Sequence, residues 1–192
     1  MALLILGLVI FLGAHSIRIF ANGWRQRQIA RVGLGRWKGL YSLVSAIGLV
    51  LIIVGFGQAR MNPVLLYVPP ALLRHLNILF TLIAFILVAA AYSPRNHIKA
   101  WIGHPMVAGV KIWALGHLLA IGMLRDVVLF GAFLLWAIVD FAASRRRDRA
   151  AGVVYPAGSP MGDAVAIIAG VIVWAAFAFW LHRLLIGVNP LI

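Results

Sequence analysis

Apolar residues run through this chain in blocks long enough to cross a bilayer, separated by short polar stretches. A crossing helix needs roughly 20 apolar residues at about 1.5 Å rise each. Six blocks approach that length: about Ala2–Ala21, Gly39–Gly57, Ala71–Tyr92, Met106–Met123, Val127–Ala142 and Ala164–Gly187. Only "LRD" separates the fourth and fifth, so they are expected to form a tight helical hairpin. The pattern predicts an all-α integral membrane bundle of about six transmembrane helices, taken as one domain over residues 1–192. The first block has neither a basic leader nor a small-residue cleavage signal, so it reads as a retained helix.

The polar stretches set the expected orientation. "NGWRQRQIARVGLGRWK" carries five Lys/Arg and no acid, the loop around "SPRNHIKAWIGHP" adds Arg95 and Lys99, and "SRRRDRA" adds four arginines. The alternate loops hold only Arg60 and Arg125. By the positive-inside rule the basic loops face the cytoplasm and both termini the outer, periplasmic side, as in a multi-pass protein of a bacterial inner membrane. Between the second and third blocks, "NPVLLYVPP" is expected to lie at the outer interface, and "VVYPAGSPMGD" reads as an inner loop. Ser42, Ser45 and Gly48 follow three-residue steps, which suits close helix packing.

Composition narrows the chemistry. Hydrophobic residues make up 64% of the 192 and charged residues 11%, far from the quarter usual in soluble domains. The net charge of +13 sits in membrane-flanking loops, so nucleic acid is not an expected partner. Membrane lipid is. The four acids are Asp126, Asp140, Asp148 and Asp163, with no glutamate. That leaves no di-iron carboxylate cluster and argues against a paired-carboxylate hydrolase. With no cysteine, thiolate catalysis, iron–sulfur clusters and covalent haem attachment are excluded.

Histidine carries the remaining chemistry. His97 reads as a solvated loop residue, and His182, beside Arg183, as a side chain reaching toward the interface. His104 precedes Pro105 and either caps the following helix or makes a second-shell or substrate contact. His15 and His117 lie inside apolar blocks, where a polar ring needs a physical reason. Small neighbours Gly13, Ala14, Ala114 and Gly116 leave room beside them, and Trp113 is one turn from His117. Two such histidines on facing helices can hold haem iron, with Arg18 placed to pair with a propionate. They can equally be structural, each bonded to a backbone carbonyl. Depth counts against the pair: His15 lies about 20 Å below the outer end of its block and His117 about 9 Å below its own, which matches His117 better with His75 or His182. Arg74, Asn77 and Thr81 form a polar stripe beside His75 that reads as packing. Asp140 is expected to pair with Arg18 or a loop arginine, and Lys111 to reach the inner interface rather than form a Schiff base.

"AHS" in the first block, "GRWKGLYSLVSAIGL" opening the second, "YVPP" after it and "HPMVAGVKIWALGHLLA" in the fourth closely resemble the NnrU family of bacterial membrane proteins. The resemblance runs through "LLWAIVDFAASRRRDR", about residues 1–149, and is weaker in the last helix. The family is associated with denitrification and nitric oxide metabolism and is related to plant 15-cis-ζ-carotene isomerase, a membrane enzyme that uses reduced haem b. That resemblance implies haem b on His15 and His117, with His104 matching the histidine of the H-P pair. It implies redox or nitric oxide chemistry, or a haem-dependent cis–trans isomerisation of an apolar polyene. The alternative is a non-catalytic scaffold, assembly helper or sensor for respiratory or denitrification enzymes. Two departures stand out. Ala114 occupies the place of the plant enzyme's cysteine, and Ile121 replaces an asparagine common in the family, so neither a thiolate ligand nor that amide operates here.

Overall fold

A computed structural model describes residues 1–191. It is all-helical: α1 (Ala2–Phe20), α2 (Asn22–Val32), α3 (Leu34–Met61), α4 (Ala71–Tyr92), α5 (His97–Ile102), α6 (Pro105–Ala120), α7 (Leu124–Ala150), α8 (Pro160–Ala176), a π-helical turn (Phe177–Leu181) and α9 (His182–Ile186). Five helices are long and apolar enough to cross a membrane, the last being Pro160–Ile186 taken as one rod. The sixth expected span, α6, is apolar but only 16 residues long. At about 24 Å it is shorter than the roughly 30 Å hydrocarbon layer. Proline at its first position and the extended Ile121 after it set those limits.

The helices stand in a row that curves until its outer members, α3 and α9, meet. α3 packs on α1, α1 on α7, α7 on α6, α6 on α4, and α4 on α8. Among the described residues, α1 and α6 do not pack on each other; α7 stands between them. The basic loops gather at one end of the row, where Arg147 donates to the Arg18 carbonyl and Ser159 Oγ to the Arg95 carbonyl. At the opposite end Arg60 donates to the Ile186 carbonyl, and Gly55 packs on Leu3 and Leu4, so the start of α1 and the end of α9 both lie there.

Lipid tails give helices no hydrophobic reason to associate, so close backbone packing has to hold them. The α1–α3 contact shows how. An added Cβ on Gly48 would meet Phe11 N at 2.7 Å, and one on Gly7 would meet Leu51 C at 2.8 Å. Leu4, Leu8 and Ile52 form the buried core beside this seam, backed by Leu129 and Phe133 of α7. The expected small-residue stripe therefore does its work through Gly48, joined by Gly55 one interval on. The polar stripe of α4 is likewise packing: Trp174 Nε1 of α8 donates to Thr81 Oγ1 at 3.2 Å, and Asn77 lies against Gly116.

The expected outer-interface stretch folds over the end of α6. Leu66 N donates to the Gly122 carbonyl and Leu124 N to the Val64 carbonyl, each at 2.8 Å, and Tyr67 Oη donates to the Leu118 carbonyl. Backbone groups that α6 leaves open are thus satisfied inside the protein, as hydrocarbon requires.

Gly55 tests the seam. A side chain there meets the α1 backbone, with Leu3 C at 2.6 Å and Leu4 Cα at 2.7 Å. Gly55→Leu should therefore cost about 1–3 kcal/mol or more by overpacking and lower the melting midpoint in detergent. Gly57→Ala, whose added Cβ meets nothing within 4 Å, should leave that midpoint unchanged or slightly raised.

Candidate functional site

At the basic end a cavity of about 400 Å³ opens beside α7, bounded by α1, the α2–α3 corner and the start of α6. His15, Tyr41, Trp136 and His104 supply its rings, and Arg18, Arg25, Lys38 and Arg147 its positive charge. Asp140 is the one acid on its wall, and Arg147 lies 4.0 Å from it. The expected Asp140 partner is thus a loop-side arginine.

His15 reaches this cavity near the basic end of α1. Its Nδ1 lies 2.7 Å from the Phe11 carbonyl. A carbonyl only accepts, so Nδ1 carries a proton, and the tautomer compatible with this bond has its lone pair at Nε2. That posture, one ring nitrogen fixed by a backbone oxygen, is the one metal-bound histidines adopt. Phe11 stacks on the imidazole at 4.3 Å, and Tyr41 and Trp136 close around it at 5.3 and 6.0 Å. The indole nitrogen of Trp136 is buried without a hydrogen-bond partner among the described residues.

His117 has the same local posture in a different place. Its Nδ1 donates to the Trp113 carbonyl at 2.8 Å, but its ring stacks on Phe130 at 4.4 Å and is not on the cavity wall. Phe130, Phe133 and Trp136 follow one face of α7 at three-residue steps, so His117 and His15 sit about two turns apart in depth. The two imidazoles belong to separate aromatic clusters joined through Phe133, which touches Phe11 on one side and Trp113 on the other. Trp113 packs in this layer against Phe130 and Phe133. The structure therefore brings His15, Arg18 and His104 to one cavity and holds His117 and Trp113 away from it. His75 is exposed, bonded to its own Ala71 carbonyl, and stands apart from the cavity.

The basic end is closed by two His–Asp clasps. His104 starts α6 with its carbonyl accepting from Ala108 N, while its side chain does not cap the helix. Instead its Nε2 bonds Asp148 at 2.7 Å, and Tyr155 Oη donates to the same carboxylate. Gly103, at φ 79°, makes room: an added Cβ there would meet Tyr155 Oη at 2.8 Å. In the second clasp His97 N and Nδ1 both meet the Asp163 carboxylate at 2.7 Å. His97 is thus not the solvated loop residue its sequence context suggests; a carboxylate 66 positions away leaves no local trace. Asn96, 2% exposed, completes the corner, donating to the Ala90 and Ser93 carbonyls and accepting from Lys99 N. Arg95 is held at φ 25° beside it, its carbonyl taking Ser159 N and Oγ.

These bonds set the acidity of the clasps. The Tyr155 hydroxyl, with His104 behind it, holds Asp148 below the usual carboxylate range against the opposing effect of burial. The His97 bonds do the same for Asp163. Burial and the neighbouring Asp148 push Tyr155 up. Lys111, expected to reach the inner interface, lies over the Phe141 ring at 3.8 Å, near the same end.

Fold and charge arrangement define a multi-pass helical membrane protein with one polar cavity at its basic end. The chain matches the family described as NnrU protein over residues 3–190, and it belongs to that family. The match runs through the last helix, beyond the 149 residues where the motifs are most distinctive. Comparison with curated proteins and with solved structures gave no match.

The clasps carry a pH prediction. A carboxylate whose folded pKa is depressed stabilises the fold fully above its unfolded value, about 3.9, and loses that contribution as pH falls through the folded value. Amide protection over Val153–Asp163, measured by hydrogen exchange and corrected for intrinsic rate, should hold from pH 7 to about 5 and collapse below about 4. Asp148→Asn should lower it already at pH 7.

Proposed function

We propose that this NnrU-family protein binds haem b in the basic-end cavity, where His15 would hold the iron, and serves redox or nitric oxide chemistry in the bacterial inner membrane. The observation that carries the reading is His15 itself: Nδ1 fixed to the Phe11 carbonyl, Nε2 without a hydrogen bond among the described residues, on the wall of a cavity lined by four cations. The donor set suits the group. Haem b is flat, apolar and dianionic, and the cavity offers aromatic walls with four cations against one carboxylate. Arg18 and Arg147, near the cavity's basic mouth, would neutralise its propionates.

Bound there, haem b would supply one-electron chemistry and affinity for a diatomic ligand such as nitric oxide. The chain's own part is binding and exclusion. Phe11 and Tyr41 pack against the His15 ring, and the Asp148 clasp fixes His104 on the cavity wall. The Trp136 ring lines its wall, with the indole N–H buried and without a hydrogen-bond partner among the described residues. Holding the iron by His15 together with His117 would require the Phe11–Phe133–Trp113 layer to part, so the geometry favours His15 without His117. A polyene isomerase would use the same cavity; that version rests on the family resemblance. The excess of arginine at one end supports placing that end in the cytoplasm.

The test is the visible spectrum of the detergent-purified protein, oxidised and dithionite-reduced, for wild type and single alanine variants. His15→Ala should abolish bound haem or convert its spectrum. His117→Ala and His75→Ala should retain it, and His104→Ala should shift it without loss. Loss in both His15→Ala and His117→Ala would establish the two-histidine ligation instead. Absence of haem from wild type after reconstitution with excess haemin would overturn the reading and return the protein to the scaffold, assembly-helper or sensor alternative.

A further inference from the structure

A second depression, apolar and of about 470 Å³, runs along the opposite side of the α1–α7 contact. Gly13 and Ser16 of α1 and Leu135 and Val139 of α7 line its basic-side half, and Trp136 separates it from the cavity. Gly13 is its gap: an added Cβ there would meet nothing within 4 Å. No cavity residue other than Trp136 enters this groove, so the haem reading does not bear on it.

Arg146 stands in line with the groove. It follows Val139 by seven residues, two helical turns and about 10 Å on the same face of α7. It is exposed, and the four ion pairs found among the described residues leave it out. The nearest acid in sequence, Asp148, is taken by Tyr155 and His104. A slot for one apolar chain thus leads to an unpaired guanidinium at the level where headgroups lie, and arginine pairs bidentately with phosphate.

We infer that the α1–α7 groove is a site for an anionic phospholipid, its acyl chain over Gly13 and its phosphate on Arg146. A second copy of this chain would bring its own basic end against Arg146 and be repelled. A peptide would find only the Ser16 hydroxyl for its backbone groups in an otherwise apolar slot, at a cost hydrocarbon does not forgive.

The experiment is native mass spectrometry of the full chain in detergent, titrated with phosphatidylglycerol or phosphatidylcholine of identical acyl chains. Wild type should prefer phosphatidylglycerol by about fivefold, the worth of one basic residue facing an anionic headgroup. Arg146→Gln should erase that preference while leaving phosphatidylcholine retention unchanged. Gly13→Leu should lower retention of both lipids several-fold. Gly39→Leu, the same change at another position open to its surroundings, should behave as wild type. Equal retention of the two lipids by wild type would overturn the inference, as would Gly13→Leu matching Gly39→Leu. Displacement of phosphatidylglycerol by soluble glycerol phosphate would overturn it too, since the chain would then contribute nothing.

Discussion

Carboxylates are the scarce resource of this protein, and the structure is arranged around where they go. All four are committed. Asp126, 4% exposed, lies 3.3 Å from Arg125, Asp140 lies 4.0 Å from Arg147, and Asp148 and Asp163 are clasped by His104 and His97. Thirteen surplus positive charges remain, and most stand at one end. Uncompensated cations repel one another unless lipid phosphate, water or a bound anion answers them. A cavity framed by four of them is therefore primed for an anionic guest.

The two histidine clasps work on connections more than on helices. α6 and α8 each begin with proline, which has no N–H to be satisfied at that position; Ser159 Oγ caps α8 by accepting from Gly162 N, whereas no side chain caps α6. His104 ties the start of α6 to the end of α7, and His97 ties the short α5 to the first turn of α8. Each clasp thus joins two helices that pack on each other. The first of them holds His104 in place on the cavity wall.

The bundle was legible in the sequence because apolar length and loop charge are local properties. The spans, the basic end and the common side of the termini could all be read from them. α6 was the exception: its apolar run continues past Ala120, but the strand-like pairing of Leu65 with Met123 stops the helix there, and such pairing leaves no mark in hydropathy. His15 and His117 could be singled out as polar rings in apolar surroundings, and their difference in depth followed from counting residues. That α7 stands between them could not, because helix order in a bundle is decided by which small residues meet which backbone. Trp136, Tyr41 and Lys38 were missed for a related reason. Nothing in an aromatic or basic residue at a helix end distinguishes a cavity wall from a membrane-interface anchor.

α6 is pinned at both ends, by the His104 clasp and by the backbone pairing around Gly122. Its sixteen residues therefore cannot slide or lengthen independently. A single inserted residue would turn everything beyond it by about 100° and carry His117 off Phe130. Drift along this lineage should accordingly fall on side chains and spare the residue count between His104 and Gly122. A thickness mismatch with the bilayer must then be absorbed by the lipid around this helix, not by the helix itself.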